Sequence, residues 1–371
     1  MSSDFVNIDF EPELYKLESK TSFNKEFEYI YFFFEGKKLK NIRDYPKDYL
    51  EFLKHLGLEI PELSPRDLNP KDWWGELSEK SRVLNSKITA LEIAQENGFC
   101  PTGVREVKNI EDIEKILKSN PDRDYFIRDP YLAAGNNSLI LSLKNFNKKK
   151  LSNRLNERSL VMAPYFRRLM DLGFIFGQSE VEVLWNLNSK DGKFKGGIVY
   201  KDFNDLFNFI EKKWGFNRDV IWEAQHKIYD LYLKKGAEGL IQIDSFLYKE
   251  ENQIKYYPLV EVNYRKSFGL FINRLRAFLS PGGVGIFLNF ATKDLSPCEN
   301  FAARLEQLTT LLYQNEKGVI PLSPQDGLFS SFFVSGETLA EINVMAQKIW
   351  DKISIGKRPF SPSLLLDQFI L

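Results

Sequence analysis

The sequence predicts an α+β fold in which a small α/β unit leads a larger, subdivided one. Three observations point there. The chain has 371 residues, too many for one small core and enough for two or three packed subdomains. Its 43% apolar and 27% charged residues are those of an ordinary globular protein. Runs with helical and with strand-like periodicity both recur along it, and the 31 phenylalanines are spread through them as core residues.

Residues 1–85 form the leading unit. Residues 28–34 (EYIYFFF) have the β-rich, aromatic character of a strand, closed by Glu35-Gly36. Residues 46–56 place Tyr49, Leu50, Phe52, Leu53 and Leu56 on one helical stripe. Pro61, Pro65, Pro70 and the pair Trp73-Trp74 then punctuate a connection.

A new pattern begins at Asn85-Ser86-Lys87, which opens a helix that stops at Gly98, with Pro101 beyond. A strand over 104–107, a helix over 110–117 and a strand over 125–128 follow. A loop of small residues, 133–138, leads into an apolar strand over 139–143, and further strands fall at 160–163, 174–176 and 181–185. A helix over about 218–235 ends at Gly236. Behind it stand two strands, 240–248 and 255–263, separated by a polar turn. The tail predicts a helix near 305–313, a strand over 328–334 and a helix over 337–353; the Gly/Pro-rich segment 280–285 reads as a connection.

Several function classes drop out. The net charge is zero, so no global field favours nucleic acid or anionic lipid, and Lys148-Lys149-Lys150 reads as an isolated solvated loop. Cys100 and Cys298 are far apart and lack metal-ligand spacing, which speaks against a disulfide scaffold or a zinc site. No apolar run is long enough for a membrane span, and residues 1–20 lack a signal-peptide core. The expected location is the cytoplasm. The two histidines, His55 and His226, fall inside helical patterns, so hydrolase mechanisms built on a histidine base are disfavoured.

The strand pair carries the chemistry. Side chains alternate along a strand, so Gln242, Asp244 and Phe246 share one face. Leu259, Glu261 and Asn263 share one face of the partner. Antiparallel pairing about the 249–254 turn sets Asp244 opposite Glu261, and adjacent carboxylates repel unless a cation lies between them. Magnesium, which takes one or two carboxylates and completes its shell with water and phosphate oxygens, answers that need. A solvated sheet face with two unrelated acids is the bland alternative. Arg265 and Lys266, which follow directly, suit a phosphate or an anionic substrate, or a salt bridge to Glu261.

In order and spacing these segments resemble the ATP-grasp superfamily across about 85–271. The carriers are Asn85-Ser86-Lys87, Gly98-Phe99-Cys100-Pro101, Arg128, the small-residue loop, Leu160 to Tyr165, and the E-x-N-x-R of Glu261, Asn263 and Arg265 behind Asp244. The resemblance implies a fold of two α+β subdomains clamping a nucleotide. Residues 86–124 would be a linker subdomain, 125–200 a nucleotide lid, and 201–371 the metal-binding and C-terminal part. It implies ATP and Mg2+ as cofactors. Lys87 and Arg128 would meet the phosphates, and Ala134, Gly135, Asn136 and Ser138 would close over them. Met162, Ala163 and Tyr165 would hold the adenine, Asp171 the ribose, and Asp244, Glu261 and Asn263 the metal. Arg265 would be the catalytic residue, a positively charged side chain contacting the γ-phosphate or the acyl phosphate. Lys87 also reads as a plain first-turn helix residue, and Asp171 as a turn acid. Arg128 stands where the family usually has lysine, the loop has one glycine, and Ala163 stands where an acid is common.

The implied reaction is phosphoryl transfer from ATP to a carboxylate, then attack of an amine on the acyl phosphate, with a small molecule, amino acid or peptide as substrate. The alternatives are an ATP-grasp kinase or phosphotransferase, and a nucleotide-binding protein that has lost catalysis.

Overall fold

The computed structural model describes residues 2–17, 23–131, 138–155 and 158–355. The leading unit is a parallel sheet of four very short strands, β1 (Asp4–Phe5), β2 (Lys38–Leu39), β3 (Glu62–Leu63) and β4 (Lys71–Asp72), in the order β3-β2-β1-β4. Helices α1 (Phe10–Leu14), α2 (Asn24–Phe27), α3 (Lys47–His55) and α4 (Glu79–Leu84) surround it. The EYIYFFF run is not a strand. Glu28–Phe33 is a 3₁₀ segment with all six residues buried. An apolar run without alternation signals burial on all sides, and periodicity alone does not separate a strand from a helical turn.

Next comes an antiparallel sheet, ordered β5-β8-β6-β7, of strands β5 (Arg105–Val107), β6 (Tyr125–Arg128), β7 (Leu139–Leu141) and β8 (Leu160–Pro164). Helix α5 (Lys87–Glu96) leads into it. Helices α6 (Ile110–Ser119) and α7 (Lys148–Leu155) cover one face. The three lysines therefore open a helix, α7, rather than sit in a loop; Leu151 anchors it in the core. Alternation along β6 and β8 puts Tyr125, Ile127, Leu160 and Met162 into this helix-side core. Phe126, Arg128 and Ala163 are left on the opposite face.

The third sheet has eight strands: β9 (Arg167–Phe176), β10 (Glu182–Asn188), β11 (Phe194–Tyr200), β12 (Ile241–Glu250), β13 (Gln253–Asn263), β14 (Val284–Ala291), β15 (Gly318–Pro321) and β16 (Phe329–Gly336). They are ordered β13-β12-β9-β10-β11-β14-β16-β15, with every neighbouring pair antiparallel. Alternation, interrupted at a few bulges, gives the sheet two apolar faces. Phe174, Trp185, Ile198, Ile286 and Val334 point to one core, shared with α8 (Phe203–Trp214), α9 (Arg218–Lys234) and α12 (Leu339–Ile353). Ile175, Leu184, Val199, Phe287 and Phe333 point to the other, shared with α10 (Phe268–Arg274), α11 (Phe301–Leu308) and the leading unit. Helix α8 opens with Asp202 accepting from the Asn204 N–H and closes at Gly215 with φ 64°, the left-handed conformation glycine adopts freely.

Two packing features cross the expected divisions. The leading unit does not stand apart: Phe27 meets Phe268 edge-on at 5.0 Å and Phe33 meets Phe271 at 5.4 Å, so one core runs through both. The expected lid over 125–200 divides between two sheets. Its strands through Pro164 belong to the four-stranded sheet, and β9, β10 and β11 pair into the eight-stranded one. Tyr165 and Phe166 are the only residues between β8 and β9, so the chain crosses from one sheet to the other in two steps. Strands β1 to β4, β11, β14 and β15 and helices α1, α2, α4, α7, α8 and α10 come in addition to the expected elements, and β14 starts inside the segment read as a connection.

Candidate active site

Strands β12 and β13 form a hairpin in which Asp244 and Glu261 are direct cross-strand partners, with Gln242 opposite Asn263. The register reaches this pairing through a bulge: Phe246 is opposite Tyr257, so two steps along β12 match four along β13. Pro258 lies inside it. Without an N–H it cannot donate to the ladder, and its carbonyl accepts instead from Gln225 Nε2 of α9 at 2.8 Å. Leu259, expected beside Glu261 and Asn263, is turned by this bulge into the helix-side core. Asp244, Glu261 and Asn263 line a cleft of about 1200 Å³ between the two sheets, which also reaches the leading unit.

Three amides hold the Asp244 carboxylate. Gln242 Nε2 at 2.6 Å and Asn186 Nδ2 at 3.2 Å donate to Oδ1, and Asn263 Nδ2 at 3.0 Å donates to Oδ2. The Ser267 hydroxyl in turn donates to Gln242 Oε1. Two glycines clear room for this network. A Cβ at Gly173 would come within 3.1 Å of Asn186 Nδ2 and 3.2 Å of Gln242 Nε2, and one at Gly269 within 2.3 Å of Gln242 Oε1.

The two carboxyls are driven apart electrostatically. Burial, then the charge of Glu261, pushes the Asp244 carboxyl well above the usual carboxylate range. Burial would raise Glu261 as well. Lys87, at 3.1 Å, together with Arg128 and Arg265 outweighs it and holds that carboxyl low. Asp244 is thus a buried acid that gives up its proton less readily than an ordinary carboxyl, and added positive charge would favour its ionised form. Among the described residues no cluster of three or more His, Cys, Asp or Glu converges. Two opposed carboxylates without a third suit a magnesium ion arriving with phosphate oxygens, rather than one caged by protein alone. Asn263 turns its Nδ2 toward Asp244 while its Oδ1 accepts from Arg265 Nη2 at 2.8 Å. Its oxygen faces Asp244 only if the amide turns over.

Two of the expected basic residues, Lys87 and Arg128, converge on β13 from α5 and β6, and the third, Arg265, follows directly on it. Lys87 is the first residue of α5, whose N-cap Ser86 accepts from the Ile88 N–H at 3.2 Å. Its own N–H donates to the Pro130 carbonyl at 3.0 Å, fixing the helix to the end of β6. Arg128, the last residue of β6, donates from Nη1 to the Val260 carbonyl at 3.1 Å. Arg265 donates to Glu11 Oε1 from Nε at 2.9 Å and from Nη2 at 2.5 Å.

The remaining expected residues divide. Ser138, Ala163, Tyr165 and Asp171 line the cleft. Asp171 pairs with Arg168 at 3.0 Å, and burial pushes its carboxyl up. Met162 turns its side chain into the core under α6 and α7, and its backbone lies between β5 and β6, so the cleft-facing part of that segment is Ala163 to Tyr165. Ala134, Gly135 and Asn136 lie outside the described residues. Neither histidine lines the cleft: His55 bonds the Glu51 carbonyl at 2.7 Å, and His226 packs 5.5 Å from the rings of Phe176 and Trp222. Asn186, Ser267 and Glu11 escape the sequence reading. Asn186 had a signal, a polar residue inside the apolar VLWNLN strand; Glu11 had none.

No protein-family model and no curated protein matches the sequence. Among solved structures the chain is similar to phosphoribosylamine–glycine ligase from Thermotoga maritima, at 13% identity and a TM-score of 0.49 over 89% of this chain and 95% of that one. It is similar to a biotin carboxylase from Campylobacter jejuni, at 12% identity and a TM-score of 0.47 over 79% and 72%. It is also similar to carboxyaminoimidazole ribonucleotide synthase from Aspergillus clavatus complexed with ATP, at 13% identity and a TM-score of 0.45 over 73% of each chain.

Proposed function

We propose that the chain is an ATP-grasp ligase that binds Mg-ATP between its two sheets and activates a small carboxylate for attack by an amine. The observation that carries this is the opposition of Asp244 and Glu261 across β12 and β13, with Lys87 brought onto the same strand from helix α5 and Arg128 from the facing sheet.

ATP with its magnesium supplies a transferable phosphoryl group and neutralises charge on it; the acyl phosphate so formed has the leaving group that a carboxylate lacks. Asp244 and Glu261 hold the cation, and the Gln242, Asn186 and Asn263 amides fix the Asp244 carboxylate in one orientation. Lys87 and Arg128 balance the phosphate charge, and Arg265, held by Glu11, presents a fixed guanidinium beside Asn263. Tyr165 and Phe166 join the two sheets, with Ala163 to Tyr165 along the base and Asp171 on the ribose. No protein nucleophile is needed, in keeping with a cleft that neither histidine lines.

ADP release screened against panels of acids and amines tests the reading, with Glu261→Ala as blank. A ligase releases ADP and phosphate when acid and amine are both present; a kinase releases ADP without free phosphate. The engagement of Arg128 Nη1 by the Val260 carbonyl favours a second reading, a nucleotide binder without turnover. It would show a magnesium-dependent thermal shift with ATP and no ADP.

A further inference from the structure

The cleft continues past the carboxylate pair into a wall of aromatic rings. From Asn263 the contacts pass to Arg265, whose guanidinium lies 6.0 Å from the Trp74 ring. Trp74 meets Phe268 edge-on at 5.7 Å, Phe268 lies 5.9 Å from Phe194, and Phe27 stacks on Phe329 at 5.4 Å. Phe194, Phe268 and Phe329 are only half-buried and line the cleft. Rings left open to water in a wall forfeit burial that a ligand can restore.

A second, independent feature stands beside them. Glu11 is 7% exposed and lines the same cleft. Its Oε1 takes both Arg265 bonds, while its Oε2 has no hydrogen-bond partner among the described residues. A buried carboxylate oxygen without a donor is unusual in a finished structure, and it accepts only from an N–H or O–H group.

We infer that this end of the cleft is the acceptor subsite, and that it takes a primary amine attached to a bulky apolar or aromatic group. The ammonium donates to Glu11 Oε2 and the apolar group fills the space among Phe194, Phe268 and Phe329. The assignment of the amine as acceptor rests on the ligase reading above; the binding of such an amine does not. Glu11 acts here as a binding residue, while through Oε1 it also positions Arg265.

Calorimetric titration of the intact chain tests this, with and without a non-hydrolysable Mg-ATP analogue. The probes are phenethylamine, L-phenylalanine, 3-phenylpropionate and glycine. L-Phenylalanine should bind at least about tenfold more tightly than glycine, and Phe329→Ala should weaken it by a similar factor. Phe194→Ala serves as the second variant should the first not fold. Glu11→Gln should weaken phenethylamine about tenfold and leave 3-phenylpropionate within about twofold. Glycine binding as tightly as phenylalanine would overturn the subsite, as would a Glu11→Gln loss equal for amine and acid, or no amine binding in either titration. The two readings separate cleanly. Nucleotide binding without amine binding sinks the subsite alone, and amine binding without nucleotide binding keeps the subsite and sinks the ligase.

Discussion

Replacing Asp244 by asparagine should make the nucleotide-free protein more stable while removing its response to Mg-ATP. The cause is the opposition of Asp244 and Glu261 across the hairpin. Side chains directly across a strand pair lie about 5 Å apart, and two like charges at that distance repel by about 3 kcal/mol at an effective dielectric of 20. The three amide donors on Asp244 and the charge of Arg265 offset part of this. Yet the raised affinity of Asp244 for its proton says that burial and Glu261 still outweigh them. Asparagine keeps the shape and loses the repulsion, but its Nδ2 cannot accept the bond that one of the amides now donates, which leaves a net gain on the order of 1 kcal/mol and, in a chain of this size, a melting temperature about one or two degrees higher. The assay is thermal unfolding at pH 8 in EDTA, then with Mg-ATP. Wild type should melt lower in EDTA and rise with Mg-ATP; Asp244→Asn should melt higher and not respond. A variant that melts lower in EDTA, or keeps the nucleotide shift, refutes the idea that this pair is held in tension for a cation.

Other expectations follow from the same geometry. Gly269→Ala puts a methyl into Gln242 Oε1 and breaks the chain from Ser267 to Asp244. It should raise the KM for Mg-ATP or lower kcat by about tenfold in ADP release, although alanine in a helix otherwise gains about 1 kcal/mol over glycine. Arg265→Lys cannot reproduce the guanidinium contacts to Glu11 and Asn263, and ADP release should fall by about two orders of magnitude with nucleotide binding retained. Glu28, under the aromatic core, has its carboxyl pushed up to about 7 by burial. The native state then holds a proton that the unfolded chain gives up, so stability is highest below the unfolded value and falls as pH rises through 7. Glu28→Gln should flatten that fall, worth on the order of 2–3 kcal/mol between pH 4.5 and 8, as read from urea midpoints.

How much of this was legible in the sequence depended on local rules. The β12–β13 hairpin was, because its polar turn and its alternation are short-range signals. So was the opposition of Asp244 and Glu261, although the bulge at Pro258 that sets the register was not: a ladder's slip depends on both strands and on Gln225 reaching in from α9. Glu28–Phe33 misled, since six consecutive buried residues carry no period. Helix α8 spaced Phe203, Leu206, Phe207 and Ile210 at helical intervals and was there to be found. Met162 and Ala163 differ only in which face alternation assigns them, and that needed the sheet order. Glu11 lies 254 residues from the arginine it grips, a distance that no single-sequence pattern spans.

The rings of Phe27 and Phe268 serve at once as mortar between the leading unit and the eight-stranded sheet and as lining of the cleft. On the proposed reading of the cleft, substrate range and durability are therefore tied together in this protein. A descendant that trims a ring to admit a larger guest also loosens the joint that keeps its first seventy-odd residues in place, so changes of diet here would have to be accompanied by repairs elsewhere in the same seam.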